Sequence, residues 1–527
     1  MIRARDPGAR AWPLAADVVA VLVAGGLHAL AFAPNDAPWL QTLTVALLAW
    51  RVAAGASAAR AALLGLLFST AWLVGGVWWL YISMHRYGGL PAWMAASAVL
   101  ALCAFLSLYL AAAMAAWVRL RSGRVALDAL SFAALWLLAE WARGAIFTGF
   151  PWIAAGYAHS DGPLAALAPW VGVYGIGAVS AGLAAVAAGA LSGAARGTTS
   201  RWRWRLRLAF AFVAWWAPAF AVSVAPAAFE FSRSNGSLSV ALVQTNVPQD
   251  EKFRVERQPE AIDWMLRALT GAQAELVVLP ETAIPLLPEQ LPAGFLDSLA
   301  ARFSEGSRSA LVGLPLGEIA KNEYTNSAAG LSASASTLAG GFYRYDKHHL
   351  VPFGEFIPFG FRWFVDAMKM PLGDFTRGPL VAPSFEVGAQ RVAPNICYED
   401  LFGEELAARF VDEARAPTIL ANLSNIAWFG DTVAIDQHLQ ISRLRSLELQ
   451  RPMIRATNTG ATVAIDHRGR VTQQIAPHTR GVLEATVEGR VGTTPYAAWA
   501  GRFGLWPLVA AALLAIAFAA AAGRRRG

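Results

Sequence analysis

Two cysteines in 527 residues leave little choice of thiol, and one of them, Cys397, stands where a nucleophile would stand. An apolar run from Val392 to Ile396 leads into it, and two acids, Glu399 and Asp400, follow. That pattern predicts a buried strand delivering a thiol at its C-terminal end into a polar loop. A lone cysteine is more often a small core residue, so the reading depends on partners elsewhere in the chain. Two stretches offer them. In Leu276-Val-Val-Leu-Pro-Glu281-Thr282 an apolar strand ends in a proline and a carboxylate, which alone would read as a turn or helix-cap acid. In Tyr345-Asp-Lys347-His-His-Leu-Val-Pro-Phe-Gly-Glu355-Phe-Ile-Pro358 a lysine and a glutamate sit among aromatics and prolines, which alone would read as a surface loop.

Taken together, these residue types meet the needs of covalent acyl transfer. A free thiol is only a few per cent ionised near neutral pH. A carboxylate beside it, Glu281, can take its proton. Lys347 can hold the thiolate and then the oxyanion of a tetrahedral intermediate. Glu355 can fix the lysine, and the N–H of Tyr398 is a natural second oxyanion donor. Charged groups at strand ends converge on one rim of a sheet. The adjacent His348 and His349 point apart on a strand and do not read as a metal pair. No internal repeat, P-loop, nucleophile elbow or metal-ligand spacing is present.

The elements that must position these groups fall into two kinds. The chain is 56% hydrophobic and 15% charged, against roughly 45–50% and 25% for soluble domains, with a mean hydropathy of +0.42. Seven apolar segments of spanning length run at about 15–33, 37–54, 61–81, 90–118, 125–146, 163–190 and 207–226, and an eighth at about 504–522. The first, with its basic start and Ala31-Phe-Ala33 end, also fits a signal peptide, but Pro34 follows directly. With the N-terminus cytoplasmic, sixteen arginines fall on the inside: Arg3, Arg5, Arg10, Arg51, Arg60, Arg119, Arg121, Arg124, Arg196, Arg201, Arg203, Arg205, Arg207, Arg524, Arg525 and Arg526. The short outside loops carry one, Arg86. That asymmetry predicts the orientation and puts the polar block 230–503 on the outer side. The net charge of +7 is spread as collars, so a nucleic-acid partner is not expected, even at Arg201–Arg207. Glu140 and Arg143 lie within the fifth segment at i,i+3 and read as a pair on one helix face.

The block 230–503 alternates β-rich runs (238–247, 275–279, 310–314, 392–397, 418–423, 452–457, 461–465, 481–487) with helical patterns (257–273, 292–303, 402–415, 435–450), which predicts a layered α/β domain with a mixed sheet. The expected organisation is a helical region 1–229, a catalytic domain 230–503, and a last helix with a basic tail, 504–527. The two cysteines are not expected to pair, because Cys103 lies in an apolar helix.

Glu281, Lys347 and Cys397, in that order and with these flanks, resemble the Glu-Lys-Cys triad of the nitrilase (carbon–nitrogen hydrolase) superfamily. Seven upstream helices and one downstream helix around such a domain resemble the apolipoprotein N-acyltransferase family. The resemblance covers nearly the whole chain and includes Val243-Gln-Thr-Asn-Val-Pro-Gln249, Leu279-Pro-Glu-Thr282, His349-Leu-Val-Pro-Phe-Gly-Glu-Phe-Ile-Pro358, Cys397-Tyr-Glu399, Ala427-Trp-Phe-Gly-Asp431 and Arg451-Pro-Met-Ile-Arg-Ala-Thr-Asn458. It implies a polytopic bundle of eight spanning helices in the bacterial inner membrane, carrying a periplasmic αββα nitrilase-like domain. It implies a thioester on Cys397, with phosphatidylethanolamine as the typical acyl donor, a diacylglyceryl apolipoprotein as acceptor, and no metal or cofactor. Glu355 and Glu399 match further acids of the family's site. Ile426 stands where the family commonly has an acid, and Phe253 near a tryptophan of some members. Nothing requires more than a monomer.

Independent chemistry fits a lipid substrate. Water competes for a thioester, so a transferase must exclude it. The stretch 359–372, with Phe359, Trp363 and Phe364, directly follows Glu355 and is too apolar for a soluble enzyme to expose. It reads as a mobile arm dipping into the outer leaflet, with a buried core helix as the alternative, and with Phe253 and Trp428 as further substrate contacts. A membrane-tethered amidase acting on a small amide would need the same triad but neither the arm nor the bundle.

Overall fold

The computed structural model describes residues 12–55, 57–195, 201–254, 256–318, 323–338, 340–366 and 374–524. Arg3, Arg5, Arg10, Arg196, Arg525, Arg526 and the 367–372 part of the apolar stretch lie outside the described residues. The chain divides into two compact units. One takes in the chain up to Trp78, Trp93–Phe229 and the chain from Leu505 onward; the other takes in Trp79–Ala92 and Glu230–Gly504.

The first unit is helical: Leu14–Ala29, Pro38–Ala54, Ala58–Val77, Ala92–Leu120, Val125–Ala145, Ala168–Ala195, Arg201–Val224 and Trp506–Arg524. Six apolar segments among the described residues are long enough to cross a membrane, the earliest being Ala58–Val77. The two helices before it are shorter, at 16 and 17 residues. Buried charge is neutralised locally, as a low dielectric demands. Asp17 accepts from Arg51 Nε at 2.6 Å and from Arg60 Nε at 3.1 Å. Arg143 lies 3.5 Å from Glu140. That pair also staples the next loop: Arg143 Nη1 donates to the carbonyls of Phe150 and Trp152, and Glu140 Oε1 accepts from Ala155 N at 2.7 Å. The last helix packs on Val125–Ala145 through Trp141 and Trp506, 5.6 Å apart, and through Ala134, Leu137 and Ala512.

The second unit holds two six-stranded sheets. The first contains β1 (Arg233–Gln244), β2 (Leu276–Val278), β3 (Ser309–Glu318), β4 (Glu323–Leu331) and β5 (Tyr343–Asp346), in the order β1-β2-β3-β4-β5. The second contains β6 (Phe385–Val387), β7 (Gln390–Ile396), β8 (Ile419–Ser424), β9 (Met453–Thr457), β10 (Val463–Ile465) and β11 (Val471–Gln474), in the order β11-β10-β9-β8-β7-β6. The last strand, β12 (Gly481–Val491), returns to lie antiparallel beside β1. Both sheets are mixed: β1/β2, β2/β3, β7/β8 and β8/β9 are parallel.

Alternation along the strands separates the apolar residues into layers. The even-numbered residues Val240, Leu242, Leu276 and Val278 of the first sheet share a cluster with Val392, Ile396, Ile419, Ala421 and Leu423 from the second. Their odd-numbered neighbours Ala241, Val243, Val277 and Leu279 meet helices Gln258–Gly271 and Phe295–Ala301 on the other face. Ala393 and Leu420 meet Leu406, Leu449, Tyr496 and Ala500.

Four strands, β4, β5, β6 and β11, are not announced by the sequence pattern. β4 reads Glu-Tyr-Thr-Asn-Ser-Ala-Ala-Gly-Leu, with little β propensity, and exists through its pairing with β3 and β5. The helix expected over 402–415 is corrected: only Gly403–Ala407 is α-helical, and the chain tightens to a 3₁₀ turn at Ala408–Phe410. Within that turn the buried side chain of Arg409 donates to Pro394 O at 2.6 Å.

Candidate active site

Glu281 follows β2, Lys347 follows β5 and Cys397 follows β7, so each hangs from the C-terminal end of a strand. The first sheet supplies the carboxylate and the ammonium, and the second supplies the thiol. Lys347 is fully buried, and its Nζ lies 2.9 Å from Glu355 Oε1 and 3.4 Å from Glu281 Oε1. Burial alone would favour the neutral amine, but the charges of Glu355 and Glu281 outweigh it and hold Lys347 above the usual lysine range. Asn326 on β4 donates through Nδ2 to both carboxylates, at 2.7 Å to Glu281 and 2.6 Å to Glu355. The other oxygens are also fixed: Glu281 Oε2 accepts from Asn425 N at 2.8 Å, and Glu355 Oε2 from Val351 N at 2.8 Å.

Cys397 is half-buried at the edge of the inter-sheet cluster. Its φ of +52° puts a non-glycine residue in the left-handed region, a local cost of order 1–3 kcal/mol of the kind that accumulates at functional sites. Two side chains hold the turn, since Asn422 Nδ2 lies 3.3 Å and His438 Nε2 3.2 Å from the Cys397 carbonyl oxygen. Burial, and next the charge of Glu281, push the thiol up to about 12, while Lys347 and Ser424 pull the other way. The net direction favours the thiol over the thiolate in the resting site.

Glu399 sits apart from the Lys347 ammonium's hydrogen-bond partners. Its Oε1 accepts from His348 N and His349 N at 2.7 and 3.2 Å, and its Oε2 from Ile396 N and Tyr345 Oη at 2.6 and 2.8 Å. It therefore ties the loop after Lys347 to the strand end before Cys397. Tyr398 is buried, with its ring 5.4 Å from Phe402. The two histidines diverge: His348 Nδ1 meets Gly378 O at 2.8 Å, and His349 Nδ1 meets Glu405 at 2.9 Å. Phe253 is exposed and lies 6.5 Å from Trp428, which in turn meets Tyr87 at 5.9 Å. Phe359 and Trp363 are exposed, and Phe364 packs on Phe353 at 5.7 Å. Ile426 is buried.

Sequence reasoning missed a second lysine. Lys252 is 6% exposed, and Nζ donates to Glu281 O at 3.1 Å, with the charges of Glu281 and Cys397 close enough to act on it. Its position three residues beyond Gln249, in a polar run, offered no signal. Burial lowers it to about 8. The folded value is below the unfolded one, so between about 8 and the ordinary lysine value the unfolded chain binds more protons. Stability from this group therefore rises with pH across that window, and the burial penalty is fully present below it. We expect the stability advantage of Lys252→Met over the parent to shrink as pH is raised from 7 to 10. Thermal unfolding of the two proteins across that range checks it, and parallel pH profiles would refute it.

Both regions of the chain are similar to known proteins. Residues 24–188 match the model of the apolipoprotein N-acyltransferase N-terminal domain, and residues 239–496 that of carbon-nitrogen hydrolases. An apolipoprotein N-acyltransferase of Verminephrobacter eiseniae is 52% identical over 94% of this chain and 94% of its own length. The chain belongs to the apolipoprotein N-acyltransferase family. Members from Ralstonia nicotianae and Bordetella bronchiseptica are 46% and 43% identical, over 97% and 95% of this chain and 94% and 96% of their own lengths. With such relatives across both units, a tethered amidase is the less favoured reading of the same triad.

Proposed function

We propose that this enzyme moves an acyl chain from a membrane phospholipid to the α-amino group of the N-terminal S-diacylglyceryl-cysteine of apolipoproteins, through a thioester on Cys397. The observation that carries the reading is the convergence of Glu281, Lys347 and Glu355 by hydrogen bonds, with all three close enough to act electrostatically on the half-buried thiol of Cys397. Glu281 takes the Cys397 proton as sulfur attacks the ester carbonyl. A C–S bond forms, and the oxyanion is met by Lys347 and Tyr398 N–H. Collapse breaks the C–O bond, the leaving alkoxide takes the proton from Glu281, and lysophospholipid departs. The acceptor amine then attacks the thioester, Glu281 takes its proton, and collapse returns the electron pair to sulfur, which is reprotonated. Glu355 and Asn326 hold Lys347 and Glu281 in place throughout, and Glu399 holds the two loops.

Phosphatidylethanolamine is the proposed donor and a monomer the working unit. The proposed setting is eight spans in the bacterial inner membrane with an αββα domain on the periplasmic side, a reading supported by the arginine asymmetry. The apolar stretch from Phe359 is the proposed arm into the outer leaflet, with Phe253 and Trp428 lining the substrate path. Exposure of Phe359, Phe361 and Trp363 supports it. Changing Phe359 and Trp363 to serine should slow acyl uptake from vesicles, and an unchanged vesicle rate would remove the arm. The proposal as a whole is tested by incubating the purified protein with acyl-labelled phosphatidylethanolamine and weighing it intact. An adduct of one acyl chain on Cys397 is expected, and its absence would sink the reading.

Glu281 reaches its place because β3 has a glycine beneath it. A Cβ on Gly313 would fall 2.2 Å from Pro280 O and 2.9 Å from Glu281 Cα, both backbone atoms. Gly313→Ala must push the 280–282 turn away. Misplacing a catalytic group by about 1 Å costs roughly a hundredfold, so adduct formation should fall by about that factor. A rate within twofold of the parent would show that the turn tolerates the shift.

A further inference from the structure

Beneath Cys397 lies a buried polar chain that the mechanism above does not use. Helix Ala434–Leu449 carries His438 and Ser442 one turn apart on one face. Arg455 reaches in from β9, and Asp400 from the turn after the nucleophile. His438, Arg455 and Asp400 are all fully buried. Arg455 Nη1 lies 3.1 Å from Asp400 Oδ2, and Arg455 Nη2 lies 3.1 Å from His438 Nδ1. A guanidinium can only donate, so His438 Nδ1 accepts and the ring proton sits on Nε2. That proton faces the Cys397 carbonyl oxygen at 3.2 Å, while Asp400 Oδ2 is farther off at 3.7 Å. Burial and the Arg455 charge keep the imidazole neutral, so this arrangement does not change over the working pH range.

The carbonyl of Cys397 and the N–H of Tyr398 belong to one planar amide. Hydrogen bonds accepted at the oxygen polarise that amide and strengthen its N–H as a donor, by roughly 10–30% per bond. We infer that His438, locked by Arg455 in its Nε2–H form, aims and strengthens the Tyr398 N–H as an oxyanion donor by gripping the other end of the same peptide. His438 is a positioning residue, and this role rests on the acyl-thioester reading above. Asn422 Nδ2 donates to the same oxygen at 3.3 Å.

Two amide side chains split the histidine's contacts. His438→Gln can set an N–H near the Nε2 position and reach Cys397 O. His438→Asn can meet only Arg455. The readout is the infrared band of an isotope-labelled thioester carbonyl, formed on the full-length protein from carbonyl-labelled phosphatidylethanolamine, together with the rate of adduct formation. His438→Leu and His438→Asn should shift the band to higher wavenumber and slow formation about twofold, the weakening of one hydrogen bond to a charged oxygen by that fraction. His438→Gln should restore both, and alkylation of Cys397 by iodoacetamide should proceed at the parent rate in all three. An unmoved band in His438→Asn, or recovery by Asn but not Gln, overturns the inference. If His438→Leu does not fold, the Gln and Asn pair decides alone. Failure of the parent protein to form any thioester overturns the acyl-transfer reading itself and is distinguished by that control.

Discussion

Cys397→Ser should abolish adduct formation and lipoprotein N-acylation while leaving the protein folded. The proposed nucleophile acts covalently, and removal of such a group elsewhere costs on the order of 10⁶ in kcat. A serine hydroxyl is far less acidic than a thiol, and the base at hand, Glu281, is a carboxylate already shared with Lys347 and Asn326. Burial and the Glu281 charge disfavour even the thiolate, so an alkoxide in the same place is disfavoured further. The fold should survive because what secures the turn is backbone: Asn422 and His438 bind the carbonyl of residue 397, and Glu399 binds Ile396 N. The side chain itself only fringes the inter-sheet cluster, so the cost should be within about 1 kcal/mol. Intact-mass measurement on protein from membranes, beside a melting curve, reads both halves. Parent-level N-acylation by the serine variant would refute the central claim.

The strand ends that carry Glu281 and Cys397 were legible in the sequence because each closes a mainly apolar run, Leu276–Leu279 without a break and Val392–Ile396 broken only at Pro394 and Asn395. Buried parallel strands leave that signature. The groups that hold them were not legible, for physical reasons specific to each. Asn326 lies on β4, whose small and polar residues become a strand only by pairing on both sides. Lys252 arrives on a loop with no period at all. His438 sits on a helix whose buried face is polar, with Gln437, Gln440, Ser442, Arg445 and Glu448 also inside. Hydrophobic periodicity cannot see such a face; it is buried because its partners, Asp400 and Arg455, come from distant segments. The spanning segments were legible from composition, but the role of Glu140 and Arg143 in stapling residues 150–155 needed coordinates.

Glu281→Gln gives the second large effect, and its two readouts should move in opposite directions. As general base the carboxylate is worth roughly 10²–10⁴ in rate, so adduct formation should fall by about that factor. The amide is also a poor structural substitute. One Glu281 oxygen accepts from Asn326 Nδ2 and the other from Asn425 N. Glutamine can satisfy only one of these, and the other contact becomes donor against donor, at about 1–3 kcal/mol. The thiol responds the other way. After burial, the Glu281 charge is the largest influence holding Cys397 protonated, so neutralising it must lower the pH at which the thiol ionises. Iodoacetamide should therefore label Glu281→Gln faster than the parent near neutral pH, although the variant no longer takes acyl chains from phospholipid. A merely structural Glu281 would slow both reactions together. Slower labelling in the variant would instead mean that the resting site already holds a thiolate paired with a protonated glutamate, and the proton transfer proposed for the acylation step would have to precede substrate binding.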